Sequence, residues 1–361
     1  MTKVKKVILA AGGTGGHFFP AIATSEELVG IGVEVHLITD LRCKRYIPGN
    51  IPFKIHILDL HIRTSSIINK IKVPFQLLKS LISAFILVRT IKPDAIVGFG
   101  GYPSFPALFM AKAQNVPIII SEQNCLFGKT NRFFVGSAKA IALSYKETKG
   151  IDPKFADKII ITGDIVRSSI KNLPQRDNFN SSIFQLFIFG GSQGARVFSK
   201  LIPEAIEVLK SMNPPIEIEI VQQANINEQK SLSERYTGLG IKHKVSDFFY
   251  NIDQIYQNCD LVIARAGAST IAELSTIGLP AIFIPFPHAA DDHQYYNAKA
   301  LEENGASWCY RQEELTPRIL ADKLYDLATN RFKIQEASRN LITRKSDGSK
   351  ILADTVLKII G

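Results

Sequence analysis

Gly12, Gly13, Thr14, Gly15, Gly16 and His17 follow the apolar run 7–11 and precede a helical pattern that begins near Pro20, so four glycines and a histidine meet at a strand-to-helix turn. Glycine at such a turn lets the backbone take positive φ and lets a ligand approach the main chain, while free N–H groups at a helix start favour an anion. An imidazole near neutral pH can act there as a general base or as a hydrogen-bond donor. A second turn of the same kind, Gly190, Gly191, Ser192, Gln193 and Gly194, follows the strand-like run 184–189 and opens another helical pattern. Both turns point to a phosphorylated ligand or to a reaction close to phosphate.

Three further segments carry polar groups at the ends of apolar runs. Gly98 to Ser104 is glycine-rich, and Ser121, Glu122, Gln123 and Asn124 close the next run; polar groups at successive strand ends suit a substrate pocket better than a core. In the second half, Arg265 to Glu273 places small residues and hydroxyls at a helix start with a carboxylate one turn further in, which fits a diphosphate at the helix N-terminus and a ribose diol on Glu273. His288, Asp291, Asp292 and His293 cluster before Gln294 and Tyr295, yet no Asp-x-Asp occurs in the chain and the reading is of no metal site. The nicotinamide fingerprint would put Phe18 where Gly or Ala is needed; Asp40, at the end of the second strand, could mimic its ribose-binding acid, so that reading is weakened and stays open. The Walker pattern fails, because no Gly-Lys-Ser or Gly-Lys-Thr follows either turn.

The elements that must hold these groups read as alternating strands and helices. Apolar runs at 6–11, 33–39, 53–60, 95–99, 117–121 and 140–144 look like buried parallel strands, and a second set falls at 184–189, 216–221, 241–245, 261–264, 281–285 and 307–310. Alternation in both halves of a 361-residue chain predicts an α/β protein of two doubly wound, Rossmann-like domains facing across a cleft at the strands' carboxyl ends. The expected division is 1–163 for the N-terminal domain and 164–345 for the C-terminal one, with a polar linker within 163–182 and a last helix, 346–361, that could pack back on the first domain.

Composition narrows the class. Residues 1–160 carry 21 Lys and Arg against 10 Asp and Glu, whereas residues 161–361 are nearly balanced at 22 against 23, so an anionic partner is expected for the first half, either nucleic acid or a membrane surface. No helix-turn-helix or RNA-binding aromatic motif supports nucleic acid. The stretch 65–92 is rich in Ile, Leu and Phe and is studded or flanked by Arg63, Lys70, Lys72, Lys79, Arg89 and Lys92. Its longest uncharged run, 80–88, is too short to span a bilayer but suits an interfacial helix, an ordinary core helix being the alternative. Four scattered cysteines give neither a zinc site nor a disulfide framework, and the Lys-rich start leads into a strand without an apolar leader, which predicts a chain that is not secreted.

Taken in order, these motifs resemble one family, the MurG glycosyltransferases. The resemblance is carried by residues 12–17 with Pro20, 98–104 with Pro106, Glu122-Gln123-Asn124, 190–194, 265–273, Gly278-Leu279-Pro280, and Gln294-Tyr295 with Asn297. It implies a GT-B fold and an inverting, metal-free transfer of N-acetylglucosamine from UDP-N-acetylglucosamine to lipid I, the undecaprenyl-diphosphate-linked muramyl peptide, forming the β-1,4 linkage of lipid II for peptidoglycan. It implies no cofactor, and a peripheral place on the cytoplasmic face of the bacterial inner membrane against an anionic lipid surface. By the same resemblance Thr14, Gly15, Gly16 and Asn124 would contact the sugar or line the cleft, and His17 would assist the acceptor hydroxyl. Ser192, the run Ala268, Ser269, Thr270, Ile271, Ala272 and Glu273, and Gln294 would hold the UDP. Arg167 stands in the place of a family arginine, and Phe249 where the uracil packs. Four positions depart from the family pattern: Ser121 stands where a His is common, Asp164-Ile165 replaces Asn-Pro, and His293 stands where many relatives have a second Gln. The rival readings are another UDP-sugar transferase of the same fold, a nicotinamide-dependent dehydrogenase, and a non-enzymatic basic module.

Overall fold

The computed structural model describes residues 4–47, 49–58, 67–175, 179, 181–191 and 196–361, with Arg45 and residues 67–73 described by their backbone alone. They form two α/β units, Met1–Arg167 with Ser346–Gly361, and Ser168–Lys345.

The first unit is built on strands β1 (Lys6–Ala10), β2 (Glu34–Asp40), β3 (Lys54–Leu58), β4 (Ala95–Gly98), β5 (Ile118–Glu122), β6 (Ala138–Leu143) and β7 (Ile159–Ile161), in the order β3-β2-β1-β4-β5-β6-β7. Every pairing is parallel. Strands covered on both faces read as continuous apolar runs, and β1 shows why: Val7 and Leu9 enter one core with Phe18, Ala21 and Ile22 of α1 (Gly15–Gly30), while Ile8 and Ala10 enter the other with Ala84 and Val88 of α2 (Ile67–Ile91) and Leu108 of α3 (Phe105–Ala113). Because β1, β4 and β5 are neighbours, the segments that leave their carboxyl ends lie side by side.

Strand β7 has no counterpart in the sequence reading. Its three isoleucines are half-buried or exposed at the sheet edge, and a run of three residues carries too little periodicity to be told from a loop.

Helix α2 is apolar on two faces. Ser80, Ala84, Val88 and Ile91 are buried, whereas Phe75, Leu78, Ile82, Phe85 and Ile86 are between 43% and 73% exposed, at spacings of three and four residues that place them on one stripe. By length and composition Pro74–Ile91 could cross a membrane, but the inner face is committed to the core of the unit.

Short α4 (Lys129–Phe134) follows β5. The second unit begins at α5 (Ser168–Lys171) and repeats the scheme with β8 (Phe184–Phe189), α6 (Arg196–Lys210), β9 (Ile218–Gln223), α7 (Ile226–Gly238), β10 (Lys242–Ser246), α8 (Ile252–Asn258), β11 (Leu261–Ala264), α9 (Ala268–Ile277), β12 (Ala281–Phe283), α10 (His293–Glu302), β13 (Trp308–Cys309), α11 (Pro317–Thr329) and α12 (Arg331–Ile342). Its sheet order, β10-β9-β8-β11-β12-β13, is parallel throughout. Strand β12 stops two residues short of the expected 281–285, because Pro285 has no N–H and the carbonyls of Ile284 and Pro285 both accept from Arg265. The last helix, α13 (Gly348–Ile360), returns to the first unit, where Leu352, Ala353 and Val356 are buried in the α1 core. The architecture is the doubly wound α/β fold expected from the alternation of elements.

Candidate functional site

In the first unit the site is assembled from the ends of β1, β2, β4 and β5. The chain leaves β1 through Gly12 and Gly13, and α1 starts at Gly15 with extended Thr14 as its N-cap residue, without a side-chain cap and without an acid in the first turn. The first N–H groups of a helix have no intrahelical partner, so those of Gly15 and Gly16 face whatever approaches the turn. Asp40, fully buried at the end of β2, accepts from the N–H of Gly13 at 3.3 Å and from Nε of Arg42 at 2.6 Å. Both of its oxygens are therefore engaged within the protein, which argues against the ribose-binding acid of a dinucleotide site. The Arg42 guanidinium lies 4.7 Å over the Tyr102 ring, which links the segment after β2 to the turn after β4.

After β4, Gly100 and Gly101 both take positive φ. A Cβ on Gly101 would meet the carbonyl oxygen of Gly12 at 2.8 Å and Cδ2 of His17 at 3.2 Å, so this close approach needs glycine. The His17 ring passes over this turn, and its Nδ1 lies 3.2 Å from Oε1 of Gln123. Gln123 in turn donates through Nε2 to Ser121 Oγ at 2.8 Å.

Glu122 points to the other side of β5, as alternation requires. Its buried carboxylate accepts from the N–H and Nδ2 of Asn124, at 3.1 and 2.9 Å, from the N–H of Gly128 at 2.9 Å and from Nδ2 of Asn131 at 2.8 Å. Four donors on one carboxylate fix half-buried Asn124 in place. The structure therefore brings Thr14, Gly15, Gly16, His17 and Asn124 to neighbouring strand ends. Arg167 has its guanidinium 4.5 Å over the Phe19 ring of α1, a ring that a Cβ on Gly15 would meet at 2.9 Å.

In the second unit, Gly267 is the extended N-cap residue of α9 and no acid stands in its first turn. The N–H groups of Ala268, Ser269 and Thr270 thus open at a positive helix end. Ile271 is fully buried and Ala272 nearly so; these two give their side chains to the core. Glu273, 5% exposed, accepts from the Tyr256 hydroxyl at 3.1 Å. Phe249 is buried edge-on against Phe187 at 5.7 Å, beside Phe248 and the 92% exposed Tyr250. Gln294, in the first turn of α10, accepts the N–H of Phe286 at 3.0 Å through Oε1. Ser192 lies outside the described residues.

Arg265, just before α9, donates to the carbonyls of Ile284 and Pro285 and to Oε1 of Gln312 at 2.7–3.0 Å, and its guanidinium stands 5.0 Å from the Phe198 ring and 5.5 Å from that of Phe286. Burial lowers its pKa to about 10, which leaves it a cation at neutral pH. Among the described residues no group of three or more His, Cys, Asp or Glu is arranged to hold a metal ion. Tyr256, Asn131 and Arg42 had no signal in the sequence, since each acts on a site residue from a different element.

Two domain models of one class match the chain: the glycosyltransferase family 28 N-terminal domain over residues 7–143 and the C-terminal domain over residues 185–352. The UDP-N-acetylglucosamine--N-acetylmuramyl-(pentapeptide) pyrophosphoryl-undecaprenol N-acetylglucosamine transferase of Rickettsia canadensis (strain McKiel) is 49% identical over 99% of the chain and 100% of its own length. The protein of that name from Rickettsia bellii (strain RML369-C) is 45% identical over the same shares. The crystal structure of Acinetobacter baumannii MurG superposes with a TM-score of 0.77 and 27% identity, covering 98% of this chain and 99% of that one. The chain belongs to glycosyltransferase family 28 and, within it, to the MurG family.

Proposed function

We propose that this chain transfers N-acetylglucosamine from UDP-N-acetylglucosamine to the muramyl 4-hydroxyl of lipid I, with inversion, and releases UDP. The observation that carries the donor half is the N-terminus of α9: open N–H groups and a helix dipole for the diphosphate, and a buried carboxylate, Glu273, one turn further in for the ribose diol. Ser192, Ala268, Ser269, Thr270 and Gln294 are assigned to the same nucleotide, with Ile271 and Ala272 contributing main chain and Phe249 forming an apolar wall for the uracil. Arg167 is assigned to substrate binding. Thr14, Gly15, Gly16 and Asn124 are assigned to the sugar, and His17 to the acceptor hydroxyl as general base.

In the reaction the acceptor oxygen loses its proton to His17 and attacks the anomeric carbon; the bond from that carbon to the diphosphate breaks, and the electron pair leaves with UDP. Helix-end N–H groups aimed at the departing diphosphate stabilise the charge that develops there.

The lipid acceptor explains why an apolar stripe is left uncovered on α2. We place Phe75, Leu78, Ile82, Phe85 and Ile86 in the boundary between headgroups and acyl chains of the inner leaflet, with exposed Lys79, Arg89 and Lys92 on anionic headgroups.

The test offers radiolabelled UDP-N-acetylglucosamine with a lipid I analogue and measures label in the extracted lipid. Transfer is expected, and folded protein that binds UDP but transfers nothing overturns the assignment. His17→Ala should lower kcat by about 10²–10⁴ while leaving the KM for the donor nearly unchanged. Undiminished kcat would remove His17 from the chemistry.

A further inference from the structure

We propose that Gln123 is a positioning residue that sets the tautomer of His17: its Oε1 accepts a hydrogen bond from Nδ1–H, so the imidazole lone pair is held on Nε2, where a general base needs it. This rests on the reading of His17 as the base.

The geometry begins with strand alternation. Ser121 and Gln123 are two residues apart at the carboxyl end of β5 and share a face, so Ser121 Oγ can accept from Gln123 Nε2 at 2.8 Å. Both side chains are buried, at 1% and 4% exposure, which holds the amide against a partner on each side. An amide whose nitrogen is committed to Ser121 offers only its oxygen to the histidine, 3.2 Å away. That oxygen has no proton to give; the contact is a hydrogen bond only when Nδ1 is protonated.

His17 reaches Gln123 past two glycines, Gly100 and Gly101, at the end of β4. A Cβ on Gly100 would lie 3.4 Å from Cε1 of His17 and one on Gly101 3.2 Å from Cδ2, so any larger side chain at either position would press on the ring. The two glycines thus serve the first turn as well as their own, letting an imidazole from α1 cross to β5. Free imidazole side chains favour the other tautomer, and a bond to the second ring nitrogen is the ordinary way a protein overrides that preference. In the chemical step the hydroxyl proton moves to Nε2, the ring becomes imidazolium with protons on both nitrogens, and Gln123 Oε1 continues to accept from Nδ1–H.

The test reads the tautomer directly. Protein labelled with nitrogen-15 in its seven histidines gives ring-nitrogen shifts, and the His17 signals are assigned as those lost in His17→Ala. Wild type should show His17 protonated at Nδ1. Gln123→Leu should shift the signals toward Nε2–H, with kcat reduced about 10- to 100-fold and the donor KM within about twofold. Gln123→Glu, which keeps an acceptor oxygen, should restore Nδ1–H and most of kcat. Ser121→Ala should give a mixture of both tautomers, since it releases the amide. A wild-type His17 protonated at Nε2, or an Nδ1–H signal unmoved in Gln123→Leu, overturns the proposal. If the tautomer behaves as stated but His17→Ala turns over normally, the base assignment fails while control of the tautomer by Gln123 stands.

Discussion

Gly101 lies so close to Gly12 that a Cβ on the former would meet the carbonyl oxygen of the latter at 2.8 Å, and its φ of +73° is one that L side chains rarely adopt. The two turns of the first unit are therefore packed main chain on main chain, and the seat of His17 depends on both. Gly101→Ala should destabilise the protein by about 1–3 kcal/mol and reduce turnover as the turns separate. Urea unfolding with a kcat measurement checks this, and a variant of wild-type stability and rate would show that the contact is readily relieved.

The Tyr256 hydroxyl holds the Glu273 carboxylate from a different helix. Tyr256→Phe should cost the nucleotide site about 1 kcal/mol, or about fivefold in UDP affinity, and Glu273→Ala considerably more. Titration calorimetry with UDP alone reads both; equal affinity in all three proteins would separate Glu273 from nucleotide binding.

Arg265 ties the loop after β12 to the residues before α9 with a planar fork that lysine cannot reproduce. Arg265→Lys should leave buried carbonyl oxygens unsatisfied and cost about 1–3 kcal/mol in denaturant unfolding. A substitution without effect would mean that water or a neighbouring side chain replaces those bonds.

His36 and His56 stack on neighbouring strands with rings 5.2 Å apart and nitrogens at 2.9 Å, beside Glu34, Lys6 and Lys54. Desolvation lowers the pKa of both histidines, so below about pH 6.5 the unfolded chain takes up protons that the folded one refuses, and stability falls with falling pH. Glu34, lowered to about 2 by hydrogen bonds from Lys54 and His36, adds a loss of the same sign between pH 4.5 and 2. The melting temperature should drop from pH 7 to pH 5, and His56→Gln should flatten that slope; a slope unchanged by the substitution would place the acid sensitivity elsewhere.

Ile82→Ser with Ile86→Ser should weaken sedimentation with phosphatidylglycerol vesicles while leaving transfer to a water-soluble acceptor analogue intact. Each apolar side chain withdrawn from the interface forfeits about 1.5–3 kcal/mol at most, so the double change should be plain at low vesicle concentration. Unchanged sedimentation would assign the exposed stripe to another partner.

Much of this molecule was legible in one dimension. Buried parallel strands announce themselves as short apolar runs, and positive-φ turns and open helix ends need glycine and small residues at set offsets, so the two doubly wound units, the turns at 12–17 and 98–104 and the start of α9 could be read locally. What could not be read depends on which elements become neighbours. The order β1-β4-β5 brings His17 to Gln123, 106 residues away, and the seating of α8 on β8 lets Tyr256 reach Glu273 of α9. Edge strand β7 is too short for a periodic signal, and α13 is amphipathic without saying which sheet it covers; contacts with Phe18, Ala21 and Ile22 decide that. Sequence patterns record how each segment buries itself, whereas hydrogen-bond partners between distant segments are settled only when the sheet order is formed.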